Sequence, residues 1–373
     1  MTIARDKPIA REKPIARNGR DALLASIPST SVAAANKPSH RRAAITKDPK
    51  SAPRAERPTQ QPASVMEMGA PSPGGMSLAK QTPVQTIAAS SNAASKRTIA
   101  SLSSPQLPAA ALDGSATPVE RLVVEAQALA AQNQPVQARA VYNSALHRPD
   151  ASAADRHLIR QRMMGLNDML LFSPGVYDGD PFAERYTIRP GDTLSVIAHR
   201  LDLNIDWRFL QRINRIADPR RIRVGQTIKV VHGPFHAIID KSDFRLDLYA
   251  GDSSDLLYIR SFSVGLGENN QTPEGAWVVR AQSKLVNPHW INPRTGEAFS
   301  ADNPDNPIGE RWIGLKGQDS DTSTISGIGI HGTIEPDSIG KNASMGCVRL
   351  LPDDVAMVYE LLVEGVSKVQ IVP

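Results

Sequence analysis

A single cysteine, four tryptophans and an aromatic share of 5% set the first limits on this chain of 373 residues. One thiol cannot supply both halves of an internal disulfide, so Cys347 is either a small buried hydrophobe or a nucleophile. No aromatic residue precedes Tyr142, which leaves the first part of the chain little with which to build a core. No apolar run approaches the length of a membrane span. Neither RDALLASIP nor the stretch after Arg41-Arg42 is apolar enough for an export leader, so no signal peptide is visible. No group of His, Cys and Asp has metal-ligand spacing, and neither metal nor cofactor is expected. Segment 1–116 carries 16 Lys+Arg against 7 Asp+Glu, a net of +9, so with +5 for the whole chain the remainder nets −4. The basic balance therefore belongs to that segment, and no stripe of Lys/Arg interleaved with aromatics follows it. A nucleic-acid partner is not expected.

Residues 1–116 are rich in Ala, Pro, Ser, Thr, Lys and Arg and read as a disordered basic tail; their opening IARDKP-IAREKP-IAR is a short tandem repeat. Residues 117–175 read as helices. Thr117-Pro118-Val119-Glu120 has the pattern of a capping box with proline at the first helical position. Apolar residues at helical spacing continue through a second segment around Val136 to Ala145 and a third from about Ala153 to Leu171, which Ser173-Pro174-Gly175 ends. The arrangement resembles a tetratricopeptide-type hairpin, too short for a superhelix, and serves as a spacer packed on the next module.

Residues 185–232 read strand, turn at Pro190-Gly191, helix from Leu194, helix from Trp207 and strand from Thr227. A unit this small without a disulfide needs a compact core, expected from Ile188, Leu194, Ile197, Leu201, Leu210, Ile213 and Ile228. From residue 235 to 373 the period changes to two. FHAIIDK, FRLDLYA, LLYIRSFSVG, AWVVRA and VQIV are short alternating strands, and Pro352-Asp353-Asp354 starts one clear helix that Gly365 stops. The long Pro/Asn/Asp-rich approach to Asn306-Pro307-Ile308-Gly309 has the length of a lid.

Within this last segment Cys347 stands in Ser344-Met345-Gly346-Cys347-Val348-Arg349, 16 positions after His331-Gly332-Thr333. Gly346 permits close backbone approach to a substrate, and N–H groups nearby can face a developing oxyanion. Arg349 supplies a fork for a carboxylate and a positive charge that favours thiolate. His331 follows the Ile328/Ile330 alternation of a strand, so it can face a cysteine on a following turn, the geometry of a nucleophile with its base. His236 and His289 are the other candidate bases.

The run IHGT…SIG…SMGCVRL resembles the active-site signature of the L,D-transpeptidase family, the YkuD-like catalytic domain, and TPEG, NPIG and RW precede it in the family's order. The resemblance implies Cys347 as nucleophile, His331 as base, and the Gly332 carbonyl as the group that orients the imidazole. Ser344, Met345, Gly346 and Arg349 would line the substrate, with Arg349 on a carboxylate, Ser344 positioning, and N–H groups of 345–347 as the oxyanion hole. The family usually has histidine where this chain has Met345, which fills space but neither titrates nor donates a hydrogen bond. YTIRPGDTLSVIA, LQRIN and RVGQTIKV resemble a LysM domain, implying a groove for N-acetylglucosamine-containing glycan. Gly191, Asp192, Thr193 and Leu194 would form one side of it, and Ala217, Asp218 and Ile222 the other, largely through backbone groups.

The expected fold is thus multidomain: tail, helical spacer, small βααβ LysM domain, and mainly-β catalytic domain with one C-terminal helix. The implied function is peptidoglycan 3→3 cross-linking through a cysteinyl acyl-enzyme, with peptidoglycan as partner and the cell envelope as location. Two alternatives stay open, an L,D-carboxypeptidase and a non-catalytic wall-binding protein. Deleting 1–116 should change unfolding stability by less than about 2 kcal/mol, measured by denaturant titration, because the segment lacks apolar surface to join a core.

Overall fold

The computed structural model describes residues 116–251 and 256–373; the expected disordered tail lies outside the described residues. Three helices open the described chain: α1 (Pro118–Ala131), α2 (Pro135–Leu146) and α3 (Ala153–Leu170). The capping box is formed, with Thr117 Oγ1 accepting from the Glu120 N–H at 3.2 Å and the Thr117 N–H donating to Glu120 Oε2 at 2.7 Å. Ser152 and Asp155 repeat the device at the start of α3.

The small module follows as β1 (Ala183–Thr187), α4 (Leu194–Arg200), α5 (Trp207–Ile213) and β2 (Thr227–Val231). β1 and β2 pair antiparallel from Ala183↔Val231 to Thr187↔Thr227, and the two short helices close over them. The core is the expected one: Ile188, Leu194, Ile197, Leu210, Ile213 and Ile228 are buried, and Leu201 packs against them half-buried.

The larger module begins with β3 (Phe235–Asp240), β4 (Arg245–Ala250), β5 (Leu257–Ser263), β6 (Leu266–Gly267) and β7 (Gly275–Val286). It continues with a small hairpin, β8 (Trp290–Ile291) and β9 (Ala298–Phe299), then β10 (Arg311–Gly317), β11 (Gly329–His331), β12 (Asn342–Ser344) and β13 (Val348–Arg349). Helix α6 (Pro352–Leu361) and strand β14 (Lys368–Val372) complete it. Eight strands form one mixed sheet in the order β13-β11-β10-β7-β14-β3-β4-β5. The last strand of the chain lies inside the sheet, antiparallel to β7 and parallel to β3. The segment expected as a lid contains the β8–β9 hairpin, with Trp290 and Phe299 ring to ring at 5.8 Å.

One sheet edge carries the cysteine segment; the other, β5, is covered by the helices. An open strand edge presents unpaired backbone groups and invites further strand pairing. Here side-chain amides take those groups. Asn143 accepts from the Tyr258 N–H at 3.0 Å and donates to the Leu256 carbonyl at 3.1 Å. Asn167 donates to the carbonyls of Ile259 at 2.8 Å and Tyr258 at 3.1 Å. The helices therefore close on the edge of the larger module's sheet.

Two buried cations fasten the helices to the small module. Arg139 is 2% exposed, donates to Asp180 at 2.7 Å and lies over the Phe182 ring at 5.7 Å. Lys229 of β2 donates to the carbonyls of Leu170, Ser173 and Gly175, the C-terminal end of α3, where the helix dipole favours a cation. Burial still pulls its pKa down to about 8, against the pull of Asp180. On its other side the small module meets α6: Arg212 grips Glu360 with two bonds at 2.6 and 2.7 Å, and the Asp206 N–H donates to the Glu360 carbonyl at 2.8 Å.

Replacing Asp180 with alanine leaves Arg139 buried without its counter-charge. The substitution should cost about 3–5 kcal/mol in denaturant unfolding, far more than loss of the exposed Asp150, whose partner Arg148 is solvated.

Candidate active site

Cys347 owes its position to two very short strands. β12 is held by a parallel pairing with β6, and β13 by a parallel pairing with β11 in which Ile330 opposes Val348 and His331 opposes Arg349. On its other side β13 exchanges two backbone bonds with Gly265, at 2.8 and 2.9 Å. The turn 345–347 is thus pinned at both ends. Parallel strands in register send paired residues to the same face and alternate along the strand. Cys347 and Arg349 therefore project to the face that carries His331.

The turn itself is held by Ser344. Its Oγ donates to the Cys347 carbonyl at 2.6 Å and accepts from the Gly346 N–H at 3.2 Å. Gly346 has φ +117°, and a Cβ there would come 3.0 Å from the Gln271 carbonyl, so no L side chain fits without strain. Ser344, 4% exposed, acts on the turn rather than on anything beyond it, and it occupies the Gly346 N–H expected for an oxyanion hole.

His331 is buried and its tautomer is fixed. Nδ1 donates to the Gly332 carbonyl at 2.6 Å, which leaves Nε2 as the basic nitrogen. The ring is stacked on Trp312, its cross-strand neighbour on β10, with centroids 5.7 Å apart and planes 17° from parallel. Gly329 makes room for this stack, since a Cβ there would meet the Trp312 ring at 2.7 Å. Burial holds the His331 pKa down at about 4; the Gly332 carbonyl pulls it up, and the Arg349 charge pushes it further down. Around Cys347 burial also dominates, pushing the thiol up to about 11 although the Gly329 backbone N–H and Arg349 both favour thiolate. Its Sγ lies 3.5 Å from the Gly327 carbonyl, a weak acceptor for the S–H. Arg349 favours thiolate as expected, but desolvation of the thiol outweighs one nearby guanidinium. Both groups are thus neutral at rest.

Arg349, expected to meet a carboxylate, already holds one: its guanidinium donates to Glu335 Oε2 at 2.7 Å. Arg349 is 14% exposed and Glu335 60%, so the pair has one anchored and one solvated partner. Met345 is half-buried beside the cysteine. Neither alternative base is near. His236 lies on β3, four strands from β11 or roughly 19 Å at normal strand spacing, and accepts from the Lys368 N–H; His289 is exposed before the β8–β9 hairpin. Sequence reasoning missed Trp312, Gly329 and Glu335, which reach the site only through strand pairing and the loop after His331.

In the small module the two expected loops meet at one end of β1–β2, where the Ile188 N–H donates to the Gln226 carbonyl at 2.9 Å. Gly191, Thr193 and Ala217 are exposed there, and Asp218 and Ile222 half-buried. Two of the seven residues have side chains directed inward. Leu194 is 2% exposed in the core. Asp192 accepts from the Tyr186 hydroxyl at 2.7 Å and the Arg189 N–H at 2.8 Å, and the Arg200 guanidinium beside it holds its carboxyl well below the usual range. At these two positions only the backbone can serve a ligand. Thr193 Oγ1 caps α4 through the Val196 N–H, and Asp218 bonds Arg220.

The L,D-transpeptidase catalytic domain model, YkuD, matches residues 234–371, and the LysM domain model matches 186–231. YqjB of Bacillus subtilis, whose name places it among the L,D-transpeptidases, is 34% identical over 105 residues, 28% of this chain and 54% of its own length. The chain thus spans about half of that relative. YkuD of Bacillus licheniformis, similarly named, is 27% identical over 196 residues, 50% of this chain and 98% of the relative. A solved L,D-transpeptidase from Mycobacterium smegmatis aligns with a TM-score of 0.28 at 14% identity, covering 52% of this chain and 92% of that one.

A neutral thiol–imidazole pair has a distinct pH signature. Alkylation of Cys347 by iodoacetamide should stay slow through pH 8.5, where an ordinary thiol ionises, and rise only toward pH 11. Following adduct mass against pH would give a midpoint near 8.5 if burial did not control the thiol.

Proposed function

Starting from a chain that carries an L,D-transpeptidase catalytic domain at 234–371 and a LysM domain at 186–231, we propose that it cross-links peptidoglycan through a cysteinyl acyl-enzyme in the cell envelope. The observation that carries this reading is the fixed imidazole: His331 bonds the Gly332 carbonyl through Nδ1 and lies opposite Arg349, two residues beyond Cys347.

In the first step Nε2 takes the thiol proton as Sγ attacks the carbonyl of the third residue of a tetrapeptide stem. The proton passes to the leaving amine, and the terminal D-Ala departs, leaving a thioester. In the second step an amine of a neighbouring stem attacks the thioester, His331 takes its proton, and the thiol is restored with a 3→3 peptide bond. The imidazole is neutral down to about pH 4 and the thiol neutral up to about 11, so the proton moves from Sγ to the imidazole within the acylation step. Arg349 reads a substrate carboxylate by exchanging Glu335, whose exposed end can leave for solvent at little cost. The small module holds the glycan, and 3→3 chemistry needs nothing from it but local concentration.

Cys347→Ala should abolish the covalent adduct with a carbapenem in intact-protein mass spectrometry, and His331→Ala should slow it by about 10²–10⁴-fold at neutral pH. Wild-type acylation should persist as the pH falls to 5 and drop as His331 gains its proton near pH 4. Incubated with disaccharide-tetrapeptide, the protein should yield cross-linked dimers; release of tripeptide without dimer would make it a hydrolase. Deleting 185–232 should lower co-sedimentation with sacculi, and equal pelleting of both forms would remove the LysM module from glycan binding.

A further inference from the structure

An open cleft of about 390 Å³ runs along the seam where α5 of the small module meets α6 of the catalytic one, within the size range of small-ligand sites. Trp207, Arg208, Arg212, Arg215, Ala217 and Glu360 line it. We infer that this seam is a second binding site, which takes a carboxylate-bearing muramyl-peptide segment of peptidoglycan. The inference rests on the peptidoglycan reading above and adds a site apart from the cysteine; the cleft shares only Ala217 with the expected LysM groove.

Three arginines face the cleft against one carboxylate, and each has a different condition. Arg212 is consumed by Glu360, whose two oxygens are both engaged, at 2.6 and 2.7 Å, with Asp353 also acting on Arg212. That pair locks the two modules, and it leaves Glu360 with little capacity to repel an incoming anion. Arg208 lies over the Trp207 indole at 4.6 Å and is steadied by Asp206 at 3.2 Å, which presents a flat cation on an aromatic base. Arg215 follows the α5 helix in a left-handed conformation, φ +53°, its N–H bonded to the Arg212 carbonyl at 3.1 Å, and it is exposed and makes no ion pair among the described residues. An unpaired guanidinium in this cleft suits a sugar ring that bears a carboxylate or peptide, as its fork donates to two oxygens at once. A neutral N-acetylglucosamine oligomer offers it no charge.

Placement links the cleft to both ends of the proposed reaction. Ala217 belongs to the loop expected to form one wall of the LysM groove, so a glycan held there continues into the cleft. At the other end, α6 packs Val355 against Gly332 and presents Glu360 to the cleft five residues later, about 7.5 Å along the helix axis.

The test uses the full chain with Cys347→Ala, to stop turnover, and measures binding of soluble disaccharide-tetrapeptide and of chitotetraose by calorimetry. Arg215→Glu should weaken disaccharide-tetrapeptide binding about 10-fold or more, leave chitotetraose binding within 2-fold, and remove most of the salt dependence. In the background with Cys347 intact, Arg215→Glu should leave carbapenem acylation unchanged. Equal muropeptide affinity with and without Arg215→Glu, or equal loss for both ligands, overturns the seam site. Absence of wild-type carbapenem acylation overturns the catalytic reading instead, so the two failures are distinguishable.

Discussion

Two backbone pairings, Ile330 with Val348 and His331 with Arg349, fix the sheet edge that carries the cysteine segment. They bring a turn residue and a strand residue, distant in sequence, onto one face of one sheet edge. Everything at the site is arranged to keep that short ladder in place. Ser344 holds the turn, Gly265 pairs β13 from its other side, and Trp312 stacks on His331 from the neighbouring strand. His331 is buried and Cys347 half-buried, and desolvation is the largest influence on each. Desolvation disfavours charge on both, lowering the imidazole pKa and raising that of the thiol.

The rest of the molecule isolates and supports that edge. β5, the far edge of the same sheet, meets helices whose Asn143 and Asn167 satisfy its backbone, so the sheet ends in side chains instead of another strand. The helices are tied to the small module by Arg139–Asp180 and Lys229, and the small module to α6 by Arg212–Glu360. A chain without a disulfide thus connects its modules through charged groups bonded to carbonyls and carboxylates, each with its partner in place. The central position of β14 adds a further constraint: the C-terminal residues complete the sheet on which the site is built.

Much of this was legible in the sequence. Local signals read well: the capping box at Thr117, the strand-helix-helix-strand order of the small module, and the alternating strands from Phe235 onward are all dictated by nearby residues. Cys347 and His331 could be singled out because only one thiol exists and the motif around it is dense. What stayed hidden depends on pairing between distant segments. Trp312 reads as one more aromatic in a strand, and only the β10–β11 register sets it over His331. Glu335 reads as a loop acid until the fold brings it to Arg349. The adjacency of Arg349, which favours thiolate, is visible in sequence, whereas the burial that outweighs it is a property of the packed edge.

The central claim is that the resting pair is uncharged, and a titration of the His331 ring in the intact protein tests it most directly. With ¹³C-labelled histidine, the Cε1 shift of His331 followed by NMR should report a neutral imidazole at pH 7 and a midpoint near 4, in the wild type and in Cys347→Ala alike. An imidazolium signal at pH 7 in the wild type that disappears in Cys347→Ala would reveal a preformed thiolate–imidazolium pair and contradict the account.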